Sequence, residues 1–261
     1  MKDITIITGG TEGFGRELAS HFAADGHRLL LVARRLELLK KTKEELESQY
    51  PIEVFIFTAD LTTQEGRLSV KEYCEANEFH VDVLVNNAGM GTGGAFHEIS
   101  AEKETMMIRL NVEAVNDMIH LFLPAMIEAK KGIIMNAASA ASFQPGPYMA
   151  AYYACKAYVL SLTEALAAEN KKTGVRVCCY CPGPCATPFL KKAETDTLFD
   201  PKRNKGMKPP AVIINRVYKE FKKGKTVIIP EKKFAFLRFL QRLVPRSLLL
   251  HVMVKVNTVK D

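Results

Sequence analysis

No Pro-, Gly- or Ser-rich tract, low-complexity segment or internal repeat divides the 261 residues. A linker between two units would need such a stretch, so one domain over 1–261 is expected. A chain of this length buries a core without staples. No uncharged apolar run reaches the roughly 20 residues that span a bilayer. The first strand pattern begins almost at residue 1, which leaves no room for a signal peptide, and a cytoplasmic location is expected. Metal-ligand spacing is also missing. Cys178, Cys179, Cys181 and Cys185 cluster without a nearby His, and strand alternation sends Cys178 and Cys179 to opposite faces. With Cys74 and Cys155 standing apart, six reduced, mostly buried thiols and no metal site are expected. The net charge of +7 comes without the interleaved aromatic motif of an RNA-binding surface, so nucleic acid is not an expected partner.

What is present is a strict alternation. Short, continuous apolar runs at Ile4–Thr8, Leu29–Ala33, Val54–Thr58, Val81–Val85, Ile133–Ala137, Val175–Tyr180 and Thr226–Ile229 read as strands buried on both sides. Between them lie helical periods. Phe14, Leu18 and Phe22 recur every four residues, and Leu39 and Leu46 mark one side of a charged helix. Met107, Leu110, Ala114, Met118 and Phe122 line a long helix, and another runs from Tyr152 to Ala168. The pattern predicts an α/β fold, a doubly wound seven-stranded parallel sheet with helices on both faces. Ligands of such sheets bind outside the carboxyl ends of the strands.

The informative residues fall there. After the first strand, Gly9, Gly13 and Gly15 lack Cβ and permit a sharp turn with close backbone approach to a pyrophosphate. The following helix aims its N–H groups at the same place. Arg34 and Arg35 follow the second strand, where a dinucleotide site meets the adenosine ribose. A guanidinium there suits a 2′-phosphate, so NADP(H) is expected over NAD(H), with Glu12 as an opposing charge. Tyr152 and Lys156 lie one helical turn apart, and a cation beside a phenol favours its ionised form. Ser139, at the end of the fifth strand, offers a hydroxyl to a carbonyl oxygen, with Ser142 as competitor. Asn111 interrupts a long helix and needs either solvent or a buried polar partner.

Taken together, Thr8-Gly9-x3-Gly13-Phe14-Gly15, Asp60-Leu61, Asn86-Asn87-Ala88-Gly89, Asn111, Ser139, Tyr152-x3-Lys156 and Pro182-Gly183-x3-Thr187 resemble the short-chain dehydrogenase/reductase family in its single-domain, Rossmann-type form. The resemblance covers essentially the whole chain. It implies an NADP(H)-dependent oxidoreductase interconverting a secondary alcohol and a ketone. Tyr152 is implied as acid/base, Ser139 as the group orienting the carbonyl, and Asn111 as the holder of a water in a proton relay. Lys156 is implied to bind the nicotinamide ribose and bias Tyr152. Gly9, Thr11, Gly13, Phe14, Gly15, Arg34 and Arg35 would meet the cofactor. So would Asp60 and Leu61 at the adenine, Asn87, Ala88 and Gly89 along the ribose, and Pro182, Gly183 and Thr187 at the nicotinamide. Phe14 and Glu12 depart from the family's usual residues.

The stretch Phe143–Tyr148 and the hydrophobic tail are most similar to a ketoacyl-reductase-like branch, which some bacterial bile-acid hydroxysteroid dehydrogenases resemble. The resemblance also implies a homodimer or homotetramer. A lid at about 188–210 mixes Phe189, Leu190, Leu198, Phe199 and Met207 with charges, consistent with a bulky apolar substrate such as a hydroxysteroid or 3-oxoacyl compound. In the tail, about 234–256, Phe236, Phe239, Leu240 and Leu243 follow helical spacing opposite Arg238 and Arg242, and Pro245 interrupts the helix. Docking of this tail onto the protein's own apolar surface is favoured over peripheral membrane binding. Two rival readings are a cofactor sensor, which would need none of the proton chemistry, and a membrane-surface scaffold.

Overall fold

The computed structural model describes residues 2–185, 189, 193, 207–241 and 243–257. Its strands are β1 Lys2–Thr8, β2 Leu29–Ala33, β3 Val54–Thr58, β4 Phe79–Asn86, β5 Gly132–Ala137, β6 Val175–Tyr180 and β7 Val227–Ile228. They form one sheet in the order β3-β2-β1-β4-β5-β6-β7, and every neighbouring pair is parallel. The sheet is the Rossmann-like doubly wound arrangement read from the sequence. The last strand, β7, is shorter than its apolar run and pairs with β6.

Alternation along the strands builds two cores. Leu29 and Leu31 of β2 join the layer that holds Leu18, Phe22, Leu39, Leu46 and Val217. These residues come from α1 Gly13–Ala24, α2 Leu36–Gln49 and α7 Pro210–Lys222. Leu30 and Val32 point to the other layer with Val70, Met118, Phe122 and Val159, carried by α3 Gln64–Ala76, α5 Ala114–Glu128 and α6 Ala150–Glu169. Cys178 and Cys179 fall into opposite layers as alternation requires. None of the six cysteines is in a disulfide and all are buried, and no metal-holding cluster is found among the described residues.

The long helix expected around Asn111 is interrupted. Helix α4, Ala101–Ile108, passes through a π-turn at Arg109–Glu113 before α5 begins. Such one-residue expansions often mark functional positions. Here the turn places Asn111 fully inside the protein, where its Oδ1 accepts from the Met90 N–H at 3.0 Å and its Nδ2 donates to the Met90 carbonyl at 2.7 Å.

Past β7 the chain forms α8, Lys232–Gln241, and α9, Arg246–Asn257, separated at Pro245. No helix among the described residues is long and apolar enough to cross a membrane. Most of the segment expected to form a lid, together with Thr187 and Arg242, lies outside the described residues.

Leu31 is fully buried between β1 and β3. Leu31→Ala should cost about 3 kcal/mol from lost burial and the cavity left behind. A lowered urea midpoint with an unchanged slope would show it.

Candidate active site

The chain reverses its direction of winding between β1 and β4, and the carboxyl ends of these two strands open a crevice. A set of hydrogen bonds ties its two sides together. The Asn87 Nδ2 donates to the carbonyls of Thr8, at 2.9 Å, and Gly9, at 3.1 Å. Its Oδ1 accepts from the Tyr180 hydroxyl at 2.7 Å. The Thr8 hydroxyl oxygen accepts from the N–H groups of Asn87 and Ala88, both at 3.0 Å. One side chain thus joins the ends of β1, β4 and β6.

The glycine turn is shaped by this packing. Gly9 and Gly13 have φ of +65° and +54°, a region that disfavours a Cβ. A Cβ on Gly15 would come within 2.2 Å of the Gly9 carbonyl oxygen and 2.4 Å of the Asn87 Nδ2. Helix α1 starts without a side-chain cap hydrogen bond from its N-cap residue, Glu12. Gly9, Thr11, Gly13 and Phe14 line the cavity there; Gly15 is buried beneath them.

The charges separate into two groups. Arg35 forms an ion pair with Glu12, which neutralises the carboxylate that opposed an anion here. Arg34, at the end of β2, lines the same cavity and acts electrostatically on Asp60. Slight burial of Asp60 raises its pKa, but hydrogen bonds from the Thr62 N–H and hydroxyl, with Arg34, bring it below the usual carboxylate value. Leu61, Ala88 and Gly89 complete this wall.

Ser139, Tyr152 and Lys156 meet on the opposite wall. Ser139 heads a short 3₁₀ turn, Ala140–Phe143, and its oxygen accepts from the Ala141 N–H at 3.1 Å. Ser142 is already engaged: it accepts from the Ser139 N–H and donates to the Lys156 carbonyl at 2.7 Å. Of the two serines, Ser139 alone lines the cavity. The Lys156 Nζ lies 5.9 Å from the centre of the Tyr152 ring and donates to the Ala137 carbonyl at 2.7 Å.

Burial dominates both titrations. It pushes the Tyr152 phenol up to about 12, against a smaller downward pull from the Ser139 hydroxyl bonded to it. It pushes Lys156 down to about 8. For the protein by itself the net shift of the Tyr152 pKa is therefore upward. Spacing alone brings the pair together, but the cost of charging a buried phenol is the larger effect. Asn111 does not reach the cavity. Its Oδ1 stands 3.0 Å from where a Gly89 Cβ would be, and both side-chain polar atoms are held by Met90.

The cavity measures about 1250 Å³, beyond the roughly 300–1,000 Å³ of common small-molecule pockets. Its far side is built by the tail, whose docking onto the protein's own apolar surface, over the substrate region or an interface, is expected from the sequence. Leu237, Leu240 and Val244 on and after α8, with Leu249 and Met253 on α9, form an apolar wall facing Phe143 and Tyr152. Asn257 clasps this wall to the body by donating to the Pro147 carbonyl at 2.9 Å. Glu231 was missed. Buried before α8, it accepts from the Gly183 N–H at 2.8 Å and fixes the Pro182–Gly183 floor. Its one signal was its place as the last acid before a wholly basic stretch.

The family model described as short chain dehydrogenase matches residues 3–198. The chain is 30% identical to the very-long-chain 3-oxoacyl-CoA reductase of Laccaria bicolor over 66% of its own length and 52% of that protein. It is 32% identical to the mouse (Mus musculus) 17-beta-hydroxysteroid dehydrogenase type 3 over 73% of its length and 63% of that protein. The matches thus span somewhat over half the length of these curated relatives. A short-chain dehydrogenase from Sphingobium yanoikuyae, solved in complex with NADPH, superposes with a TM-score of 0.82 at 27% identity, covering 93% of this chain and 94% of that one.

Burial disfavours the charged form of each group, so the phenol should stay neutral, and the ammonium should lose its proton early, as pH rises. In the free protein Tyr152 should remain un-ionised past the ordinary tyrosine value of about 10, and Lys156 should titrate near 8. NMR of labelled tyrosine and lysine, assigned with Tyr152→Phe and Lys156→Arg, reads both. Ionisation of Tyr152 below its ordinary value would contradict the burial argument.

Proposed function

The chain belongs to the short chain dehydrogenase family of oxidoreductases, and from that premise we propose that it interconverts a secondary alcohol and a ketone with NADP(H). The observation that carries the reading is the convergence of Ser139, Tyr152 and Lys156 on one wall of a cavity whose other end is the glycine turn. The residues fit the cofactor. Backbone N–H groups at the start of α1 suit a pyrophosphate, and Arg34 suits a 2′-phosphate once Glu12 is occupied by Arg35. Asp60 and Leu61 would border the adenine, Asn87, Ala88 and Gly89 the ribose, and Pro182, Gly183 and Thr187 the nicotinamide. The nicotinamide, when bound, supplies or accepts the hydride.

The protein's own part is proton chemistry and positioning. Ser139 and Tyr152 donate hydrogen bonds to a carbonyl oxygen and polarise it. The neutral phenol that burial favours is the form a proton donor needs. Lys156 binds ribose hydroxyls and, once an anionic cofactor lies beside it, holds its own proton more tightly. Asn111 is a positioning residue that braces Met90 and Gly89 against Lys156.

The apolar far wall supports a bulky, hydrophobic substrate such as a hydroxysteroid or a 3-oxoacyl compound, the classes named in the relatives. Residues 188–210 are read as the lid that completes this end. Exposed Ile108, Ile127 and Tyr158 on α4, α5 and α6 support subunit contacts in a homodimer or homotetramer. Six reduced thiols support a cytoplasmic setting.

Tyr152→Phe should keep NADPH affinity within about twofold and lower ketone reduction by roughly two to four orders of magnitude. A rate above a tenth of the unmodified protein's would remove Tyr152 from the acid/base role. The unmodified protein should also prefer NADPH to NADH, and Arg34→Ala should erode that preference about ten- to a hundredfold, the worth of a charge-assisted hydrogen bond. Steady-state kinetics with both cofactors decides this, and equal efficiencies in the unmodified protein would refute the NADP(H) reading.

A further inference from the structure

Half of the exposed large apolar side chains among the described residues lie between Phe236 and Val256. They occupy two rows. On α8 and the turn after it, Phe236, Phe239 and Leu243 are 61%, 60% and 70% exposed and do not line the cavity. On α9, Leu250 and Val254 continue that outer surface, while Leu248, Val252 and Val256 are exposed and also border the cavity. The tail is thus apolar on both sides. Its inner side is the cavity wall, its outer side faces outward, and the α9 row forms the rim where the two meet.

The charge of this segment says what could cover it. Residues 232–260 contain seven Lys or Arg and no Asp or Glu, against 36 basic and 29 acidic residues in the whole chain. The remainder of the chain balances at 29 of each, so the entire basic excess is concentrated here. Lys232, Arg246 and Lys255 are exposed beside the apolar rows. Although Arg238 pairs with Glu164, a second copy docking through this face about a two-fold axis would bring Lys232, Arg246 and Lys255 of both copies together. Helices of this length and composition, with aromatic and aliphatic side chains among exposed cations, suit an anionic lipid interface.

We propose that α8 and α9 form a peripheral membrane-docking surface for anionic lipid, with Phe236, Phe239, Leu243 and Leu250 entering the interface and Lys232, Arg246 and Lys255 meeting the headgroups. In this orientation the rim formed by Leu248, Val252 and Val256 faces the lipid, and the cavity opens onto it. Granting the oxidoreductase reading above, a membrane-dissolved ketone would then enter without crossing bulk water.

The test is co-sedimentation of the full chain with phosphatidylcholine vesicles, alone or containing about one-third phosphatidylserine. Binding to the anionic vesicles should be at least tenfold stronger than to neutral ones and should weaken at high salt. Phe236→Ser with Phe239→Ser should reduce it by roughly tenfold or more, and Lys232→Glu with Arg246→Glu should remove the preference for anionic lipid. Both double variants change exposed residues outside the cavity, so reduction of a small water-soluble ketone should be unaltered. The vesicle assay needs no turnover, so an inactive protein that binds would uphold the docking surface while sinking the proposed reaction. Equal affinity for neutral and anionic vesicles, or binding insensitive to both variants, would overturn the proposal. So would sedimentation equilibrium showing that the Phe variants dissociate a dimer that never engages vesicles.

Discussion

The adjacency of β1 and β4 at their carboxyl ends is the constraint on which the site depends. The two strands enter from opposite halves of the winding, so nothing in local sequence holds their ends in register. Asn87 and Thr8 do so by exchanging hydrogen bonds between side chain and backbone across the crevice. With the Tyr180 hydroxyl on the same amide, the end of β6 is fixed as well. The close approach of Gly15 to Gly9 and Asn87 is affordable only because there is no Cβ. The glycine turn, the ribose wall and the floor at Pro182 are therefore parts of one hydrogen-bonded unit rather than three loops.

On the opposite wall, desolvation governs. Lys156 is enclosed with a backbone carbonyl as its partner, and Tyr152 is enclosed with Ser139. In each case burial outweighs the polar contact, so the net effect disfavours the charged form. A buried lysine that can gain a proton and a buried phenol that can lose one are poised to respond to whatever charge is placed between them. The protein supplies a responsive pair, and the direction of the response belongs to the bound state.

Much of this was legible in the chain because parallel strands buried on both faces carry an unambiguous apolar signature. β2, β3 and β6 follow their runs residue for residue. The glycine turn and the Tyr152–Lys156 spacing were legible because each depends on near neighbours in sequence. What depends on distant partners was not. The ion pair of Glu12 with Arg35 joins two loops, and only the fold shows that it leaves Arg34 as the cation at the end of β2. Ser142 and Ser139 are alike in sequence, and the Lys156 carbonyl decides between them. The tail showed an apolar helical period but not that both of its sides are apolar for different reasons. Asn111 was recognisable as misplaced in a helix, whereas the π-turn that accommodates it has no compositional mark.

That π-turn constrains the length of the chain as well as its composition. Arg109–Glu113 carries one residue more than a regular helix would need to join Ile108 to Ala114 along the same path. Deleting any one of these residues would restore regular hydrogen bonding. It would leave Met107 and Ala114 in their layers but close the widened turn, and Asn111 would lose Met90. Across descendants of this sequence, the segment should therefore accept exchanges of side chain far more readily than a gap, so that a fixed spacing from Met107 to Ala114 becomes a trace of the site even where the residues between have drifted.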